Sequence, residues 1–107
     1  SDQQDQTALQ MILNVIEFGM QPQKASEVMR FGTNHFIGSF CQTPVDPGSL
    51  MIEDTVPKKT LEALKEKGHN VSLTPAFPSN TVLIVWQENG SMKPGGDLHK
   101  GKHIAAY

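Results

Sequence analysis

The sequence has little of several features that would identify a function directly. Its single cysteine in 107 residues excludes an internal disulfide framework. All of its apolar runs are shorter than the roughly 18 residues that a membrane-spanning helix needs. Nine basic and eleven acidic residues leave a net charge of −2, so the chain lacks the basic excess of proteins that bind nucleic acids or anionic membranes. Neither nucleic acid nor a membrane is therefore expected as a partner.

The segment from Gln6 to Met20 is the most apolar part of the chain. At 3.6 residues per turn, its polar side chains fall on one narrow strip, and about 260° of the helix circumference is apolar. The strip consists of Gln6, Gln10, Asn14 and Glu17. A surface helix needs an apolar stripe of only about 100°. We therefore expect one long buried helix that needs more covering protein than 107 residues supply, and hence a piece of a larger protein.

Proline, glycine and periodicity signals predict two further helices, several strands and a β-hairpin. The predicted segments are helices at 21–29 and 55–67 and strands at 49–53, 69–73, 81–87 and 91–93. The strand at 81–87 is continuously apolar, which predicts cover on both of its faces. Asn89-Gly90 predicts a two-residue type I′ turn, and Pro94 to Gly96 should end the strand that follows it. Between the helices, residues 30–47 are expected to be irregular and held by their aromatic side chains.

Two groups of residues could carry chemistry in the middle and at the end of the chain. Cys41, with Asn34 and His35 nearby in sequence, could be a nucleophile, but a lone cysteine among apolar neighbours is more often a small buried side chain. His99 and His103 follow Asp97 at metal-ligand spacing, yet three or four convergent ligands are needed and two lysines lie between them. The sequence therefore predicts no metal site.

Two other features also have alternative interpretations. Pro94-Gly95-Gly96 resembles a phosphate-binding loop only in its glycine content, because the following lysine–hydroxyl pair is absent. Ser1 could be an N-terminal nucleophile whose own α-amine acts as the base, although a chain can also begin at serine for other reasons. The residues by themselves predict no complete catalytic constellation and no cofactor.

Several short motifs, in order along the chain, resemble the C-terminal part of γ-glutamyltranspeptidase, within the N-terminal-nucleophile hydrolases. The matching stretches cover nearly the whole sequence. They are Leu9-Gln10-Met11, Asn14 to Met20, Pro22 to Ala25, Arg30-Phe31, Thr60 to Leu64, Lys67-Gly68-His69, Gly96-Asp97 and Ala105-Ala106-Tyr107. The resemblance implies that residues 1–107 are a C-terminal segment of the small subunit and form part of a four-layer αββα sandwich.

The same resemblance implies a function for the full-length protein. Members of this family form by autoprocessing and cleave γ-glutamyl amides, as in glutathione metabolism, through a threonine that opens the small subunit. No catalytic residue would then lie in this chain, and Ser1 and Asp2 would form the edge of the oxyanion hole. The implied partners are the large subunit, the N-terminal part of the small subunit and a γ-glutamyl substrate.

The start of the chain departs from the common family pattern. Ser1 to Gln6 is acidic and rich in glutamine, which is closer to the γ-glutamyltranspeptidase-like acylase branch. A related amide acylase of the cephalosporin-acylase type, with a different acyl donor, is therefore one alternative. A free-standing α+β interaction module, whose apolar helix is buried in a partner, is the other.

Overall fold

The computed structural model describes residues 2–39, 44–78, 81–97 and 104. They form an α+β arrangement with three helices, a three-stranded sheet and a two-stranded sheet, which confirms the predicted mixed class. The elements are α1 (Asp2–Ile16), α2 (Pro22–Glu27), β1 (Phe31–Gly32), β2 (Ser49–Glu53), α3 (Lys58–Glu66), β3 (Asn70–Thr74), β4 (Val82–Trp86) and β5 (Met92–Gly96). No helix within these residues has the length and apolar character required to cross a membrane.

The chain divides into two compact units. Unit 1 comprises residues 1–7 and 29–78, and unit 2 comprises residues 8–28 and 79–107. In unit 1, β2 pairs antiparallel with β1 and parallel with β3. Because parallel neighbours need a crossover connection, α3 joins β2 to β3. Helix α3 is solvent-exposed and has no buried residue.

The core of unit 1 forms beside β2. Among the described residues of this unit, Ile52, Val56 and Phe77 are the buried apolar side chains, and Phe77 is completely buried. The Phe77 N–H donates to Glu53 Oε1 at 2.9 Å, and the same carboxylate oxygen lies 3.7 Å from Nε of buried Arg30. The segment after β3 is thereby connected back to the end of β2.

Unit 2 packs α2 against the β4–β5 hairpin. Its buried residues include Met11, Ala25, Ser26, Thr81 and Asp97. The Asp97 N–H donates to the Thr81 carbonyl at 3.0 Å and extends the pairing beyond β5. The predicted end of this strand at Pro94 to Gly96 is wrong, because Pro94 pairs with Ile84, and Gly96, the last residue of β5, pairs with Val82.

The hairpin is present where it was predicted, but its turn is different. Gly90 N–H donates to the Gln87 carbonyl, so Glu88 and Asn89 are the central turn residues. Gln87 then pairs with Ser91, and Gly90, with φ +82°, occupies the left-handed position of a three-residue loop. The predicted two-residue type I′ turn is therefore wrong. The Asn89-Gly90 pair is compatible with this longer loop as well, because only its glycine has to adopt a left-handed conformation.

Helix α1 is long but is not buried within this chain. It ends at Ile16, and Gly19 takes the left-handed conformation after it, with φ +63°. Ile12 is 53% exposed and Ile16 is 71% exposed. The predicted burial on nearly all sides is therefore not confirmed within the 107 residues, which bury Met11 but otherwise contact polar side chains of the helix. Asn14 Nδ2, for example, donates to the Ala25 carbonyl at 3.5 Å.

Two further predictions about the burial of apolar side chains are also wrong within the chain. One face of β4 is open, with Val82, Ile84 and Trp86 exposed, so this strand is not covered on both faces. Phe36 and Ile37 are also exposed, so apolar side chains do not hold the irregular segment after β1. Hydrogen bonds from polar groups hold it. The four-layer sandwich stays a prediction.

Candidate functional site at the start of the first helix

Asp2, a predicted site residue, is the first residue of α1 and is bonded to Ser39. Its Oδ2 accepts the Ser39 N–H at 3.0 Å, and its Oδ1 accepts the Ser39 hydroxyl. Both bonds stabilise the charged carboxylate and so lower the pKa of Asp2 below its ordinary value of 3.8. The bond from the Ser39 hydroxyl has the larger effect, and the bond from the Ser39 N–H has the next largest. A carboxylate in the first helical turn also interacts favourably with the helix dipole. Ser1, the other predicted site residue, lies outside the described residues.

Gln6 contacts the segment after β1 through both ends of its amide group. Its Nε2 donates to the Thr33 carbonyl at 2.9 Å, and its Oε1 accepts the Thr33 N–H at 2.8 Å. One turn earlier, Gln3 Nε2 lies 3.2 Å from Asn34 Oδ1 and 3.5 Å from the Thr33 carbonyl. Together with Asp2, these side chains connect the first turns of α1 to residues 33–39.

Thr33 is itself anchored to the sheet of unit 1. Its hydroxyl donates to the carbonyl of Ser49, the first residue of β2, at 2.6 Å. The same hydroxyl oxygen accepts the His35 N–H at 3.0 Å, and Ser49 Oγ accepts the Asn34 N–H at the same distance. A threonine directly after β1 therefore turns the chain away from the strand while keeping its main chain in place.

His35 also has a structural contact. Its Nδ1 accepts the Gly48 N–H at 2.8 Å. Its ring packs edge-on against Phe36, with the ring centroids 4.7 Å apart. The imidazole thus closes the loop between β1 and β2, and the cysteine with which it was considered, Cys41, lies outside the described residues.

Gly32 allows the helix to approach the strand closely. A Cβ at this position would lie 2.3 Å from Gln3 Oε1 and 2.6 Å from Phe77 Cζ. The Gln3 oxygen is buried without a hydrogen-bond partner among the described residues. A side chain at residue 32 would therefore displace either the start of α1 or the core.

The structure does not gather the other candidate residues into a site. Pro94 to Gly96 lie within β5, so they form neither a phosphate loop nor a turn. Asp97 is buried beside Thr81, whereas His99 and His103 fall outside the described residues. Within 2–39, 44–78 and 81–97, no three histidine, cysteine or acidic side chains form a group that could hold a metal ion.

The described cluster positions the main chain and brings no nucleophile to a base. Asp2 is bonded to Ser39, Gln6 to Thr33, and His35 to Gly48. The sequence predicts only that Gln6 lies on the polar strip of the helix, and no sequence signal marks Ser39 or Thr33 as its neighbours. One sequence signal could have indicated this contact surface: Gln3 and Gln6 are three residues apart and therefore share a helix face.

The whole chain matches one protein family. The family described as Gamma-glutamyltranspeptidase matches residues 1–107. The chain belongs to the γ-glutamyltranspeptidase family. Its recognition from sequence motifs as part of such an N-terminal-nucleophile hydrolase is therefore confirmed. The family consists of γ-glutamyl or amide hydrolases and transferases, which supports an enzyme over the free-standing interaction module. No curated protein sequence matches the chain.

Solved structures of related enzymes share the fold of this γ-glutamyltranspeptidase-family chain. A mutant of the Helicobacter pylori γ-glutamyltranspeptidase is 23% identical, with a TM-score of 0.63 over 87% of this chain and 46% of its own. The cephalosporin acylase of Bacillus halodurans is 21% identical, with a TM-score of 0.74 over 94% of this chain and 17% of its own. The Bacillus anthracis transpeptidase CapD is 15% identical, with a TM-score of 0.69 over 96% and 56% of the respective chains.

These identities are low enough that the likeness concerns the fold. In each case the matched region is less than two thirds of the relative's own chain. Such partial coverage is consistent with a piece of a larger enzyme.

Proposed function

We propose that the full-length protein containing this chain cleaves γ-glutamyl amides through a threonine acyl-enzyme, and that the threonine lies upstream of Ser1. The observation that carries the proposal is the family match over residues 1–107. Residues 1–107 are then the C-terminal segment of the small subunit. Their partners are the large subunit and the N-terminal part of the small subunit, and the precursor forms both subunits by autoprocessing.

The proposed reaction has two acyl-transfer steps. The threonine hydroxyl attacks the amide carbonyl, and the threonine α-amine takes up the hydroxyl proton. The resulting tetrahedral oxyanion collapses to a γ-glutamyl ester and expels the amine, which receives that proton. Water or a second amine then attacks the ester and gives up a proton to the α-amine, which passes it to the departing threonine oxygen and so restores the threonine hydroxyl. Main-chain N–H groups stabilise both tetrahedral oxyanions.

In this proposal the chain contributes the edge of the oxyanion hole. Asp2, together with Ser1, would lie beside the main-chain N–H donors. The bonds of Asp2 to Ser39 and of Gln6 to Thr33 support this role, because donors of this kind must be held in place before the reaction. The carboxylate of Asp2 faces Ser39, so its role would be positional.

The exposed apolar side of α1 supports the proposed partners. Leu9, Ile12 and Ile16 are exposed. Gln6 and Asn14, by contrast, donate hydrogen bonds to main-chain carbonyls of the chain. A helix whose polar strip contacts its own chain leaves its apolar side for other protein. The remainder of the enzyme is the proposed source of that cover.

Hydrolysis of a γ-glutamyl anilide by the purified full-length protein tests the function. We expect release of the aniline, two subunits by intact mass, and loss of both when the upstream threonine is changed to alanine. The 107 residues alone should be inactive, because the nucleophile is absent. Hydrolysis by these residues alone, or unchanged hydrolysis by the threonine variant, would contradict the proposal.

A related amide acylase is the second candidate. It is favoured by the TM-score of 0.74 with the Bacillus halodurans cephalosporin acylase and by the acidic, glutamine-rich start of this sequence. The two activities differ in the acyl group that is accepted. A full-length enzyme that releases amine from an acylated cephalosporin, while leaving the γ-glutamyl anilide intact, would establish the acylase.

A further inference from the structure

We propose that Gln6 is a positioning residue of the enzyme: its side-chain amide holds the first turn of α1 on Thr33 and thereby sets the position of the Asp2 main chain. The inference rests on the proposed function, in which Asp2 lies at the edge of the oxyanion hole. It adds a residue whose side chain need not touch the substrate, and which acts through the backbone of Asp2.

The geometry of the Gln6 contact is that of a neighbouring β-strand. The amide receives one main-chain bond at 2.8 Å and gives one at 2.9 Å to the same residue, Thr33. Two antiparallel bonds to one residue restrict both the distance and the rotation of the side chain. Asp2 lies four residues before Gln6, on the same face of the helix and one turn away. Fixing Gln6 therefore also fixes the height and rotation of Asp2.

The partner of Gln6 is fixed independently of the helix. The Thr33 hydroxyl donates to the Ser49 carbonyl at 2.6 Å, and Gly32 is in register with Met51 of β2. A continuous series of bonds therefore runs from the three-stranded sheet through Thr33 to Gln6. The Asp2–Ser39 and Gln3–Asn34 bonds attach the helix start to the same segment at two further points.

A small displacement of an oxyanion donor has a large kinetic effect. Donors stabilise the tetrahedral oxyanion at about 2.7–3.1 Å, and a misplacement of about 1 Å can reduce the rate roughly 100-fold. Substrate binding in the ground state depends less on those donors. Loss of the Gln6 contact should therefore reduce kcat much more than it changes KM.

The test compares Gln6→Met with Gln21→Met in the full-length enzyme. Methionine keeps the length and the apolar stem of glutamine but removes both amide bonds. Gln21 is an exposed glutamine whose side chain bonds only Lys93 among the contacts described, so it controls for the chemical change. Active sites are counted by burst titration, so that kcat refers to folded, processed enzyme.

We expect Gln6→Met to lower kcat per titrated site by about 10- to 100-fold, with KM within about threefold of the wild-type value. The Gln21→Met control should stay within about twofold for both constants. Wild-type kcat per titrated site in Gln6→Met would overturn the inference. So would a loss of activity explained entirely by fewer titratable sites.

Thr33→Val provides a second variant in case Gln6→Met yields no processed enzyme. It removes the hydroxyl bond to Ser49 but keeps the main-chain groups that Gln6 contacts, so a smaller loss of kcat per site is expected. Unchanged kcat per site in this variant would also overturn the inference. Failure of the proposed function is seen separately, as a wild-type enzyme without γ-glutamyl amidase activity or one that does not need the upstream threonine.

Discussion

The side chain of Gln23 bonds both main-chain groups of Gly96. Its Nε2 donates to the Gly96 carbonyl at 2.8 Å, and the Gly96 N–H donates to its Oε1 at 3.1 Å. Gly96 is the last residue of β5, and on its other side this strand pairs with β4. The glutamine amide therefore takes the place of the next strand at this edge and joins α2 to the hairpin of unit 2.

Gln23→Met should destabilise the full-length protein. Removing the amide leaves two partly buried main-chain groups of Gly96 without these partners, which is expected to reduce the free energy of unfolding by about 1–3 kcal/mol. Urea denaturation measures the change. Gln21→Met, at an exposed glutamine two residues earlier, should stay within about 0.5 kcal/mol. Equal effects of the two substitutions would show that the Gln23 bonds add no net stability.

Gly95→Ala should be more destabilising than Gly90→Ala. A Cβ at Gly95 would lie 2.3 Å from the carbonyl carbon and oxygen of Pro22 and 2.6 Å from the Gln23 nitrogen. These are backbone atoms, so α2 and β5 would have to separate at a cost of about 3 kcal/mol. Gly90 has open space around it, and only its φ of +82° opposes alanine, at about 1 kcal/mol. A larger cost at Gly90, measured by urea denaturation, would contradict this packing.

Asp2 should make a pH-dependent contribution to stability. Its bonds to Ser39 lower its pKa in the folded state below the ordinary 3.8. The stabilisation is therefore present above pH 3.8 and is lost as the pH falls through the lower folded-state pKa. Asp2→Asn should reduce stability at neutral pH, and its difference from wild type should shrink below pH 3.8. Urea denaturation at a series of pH values measures this difference.

Asp5→Asn is the matched control for Asp2→Asn. Asp5 is exposed in the same first turn of α1, so its substitution removes a charge near the helix dipole without removing a bond to Ser39. A larger stability loss for Asp2→Asn at neutral pH separates the Ser39 contribution from the dipole. Indistinguishable pH profiles of the two variants would show that the bonds between Asp2 and Ser39 make no separate contribution to stability.

Ile16→Ala tests whether the apolar side of α1 is covered in the full-length protein. Ile16 is 71% exposed in the chain, so an uncovered helix predicts a change within about 0.5 kcal/mol. Cover by the rest of the enzyme predicts a loss of about 2–5 kcal/mol, as for a core isoleucine. Ile52→Ala, at a buried position of β2, supplies the reference value. We expect the two losses, measured by denaturation, to be similar.

Local sequence signals predicted the elements because these signals act within a few residues. The short helix after Pro22, the charged helix α3 and the hairpin around Asn89-Gly90 all lie where they were predicted. The turn type was less accessible, because the Asn-Gly pair suits both a two-residue and a three-residue loop. The pairing of Gln87 with Ser91 fixes the length of the hairpin loop at three residues.

Contacts between distant residues were not predicted. Phe77 is completely buried in unit 1, yet it lies between Pro75 and Pro78 without any periodicity that would mark a core position. The Gln6–Thr33 bonds join residues 27 apart, and the Gln23–Gly96 bonds join residues 73 apart. Glutamine has no preferred partner in sequence, so its bonding depends on which backbone the fold brings near.

The sequence by itself determined the mixed class, the position of most elements and, through its ordered motifs, the γ-glutamyltranspeptidase family. These follow from backbone preferences, hydrophobic periods and residue order, which are properties of neighbouring positions. Only the tertiary structure decided which side of α1 faces its own chain. In unit 2, the main-chain carbonyl of Ala25 requires a hydrogen-bond donor, so Asn14 of α1 faces it, whereas Ile12 and Ile16 of the same helix are left exposed.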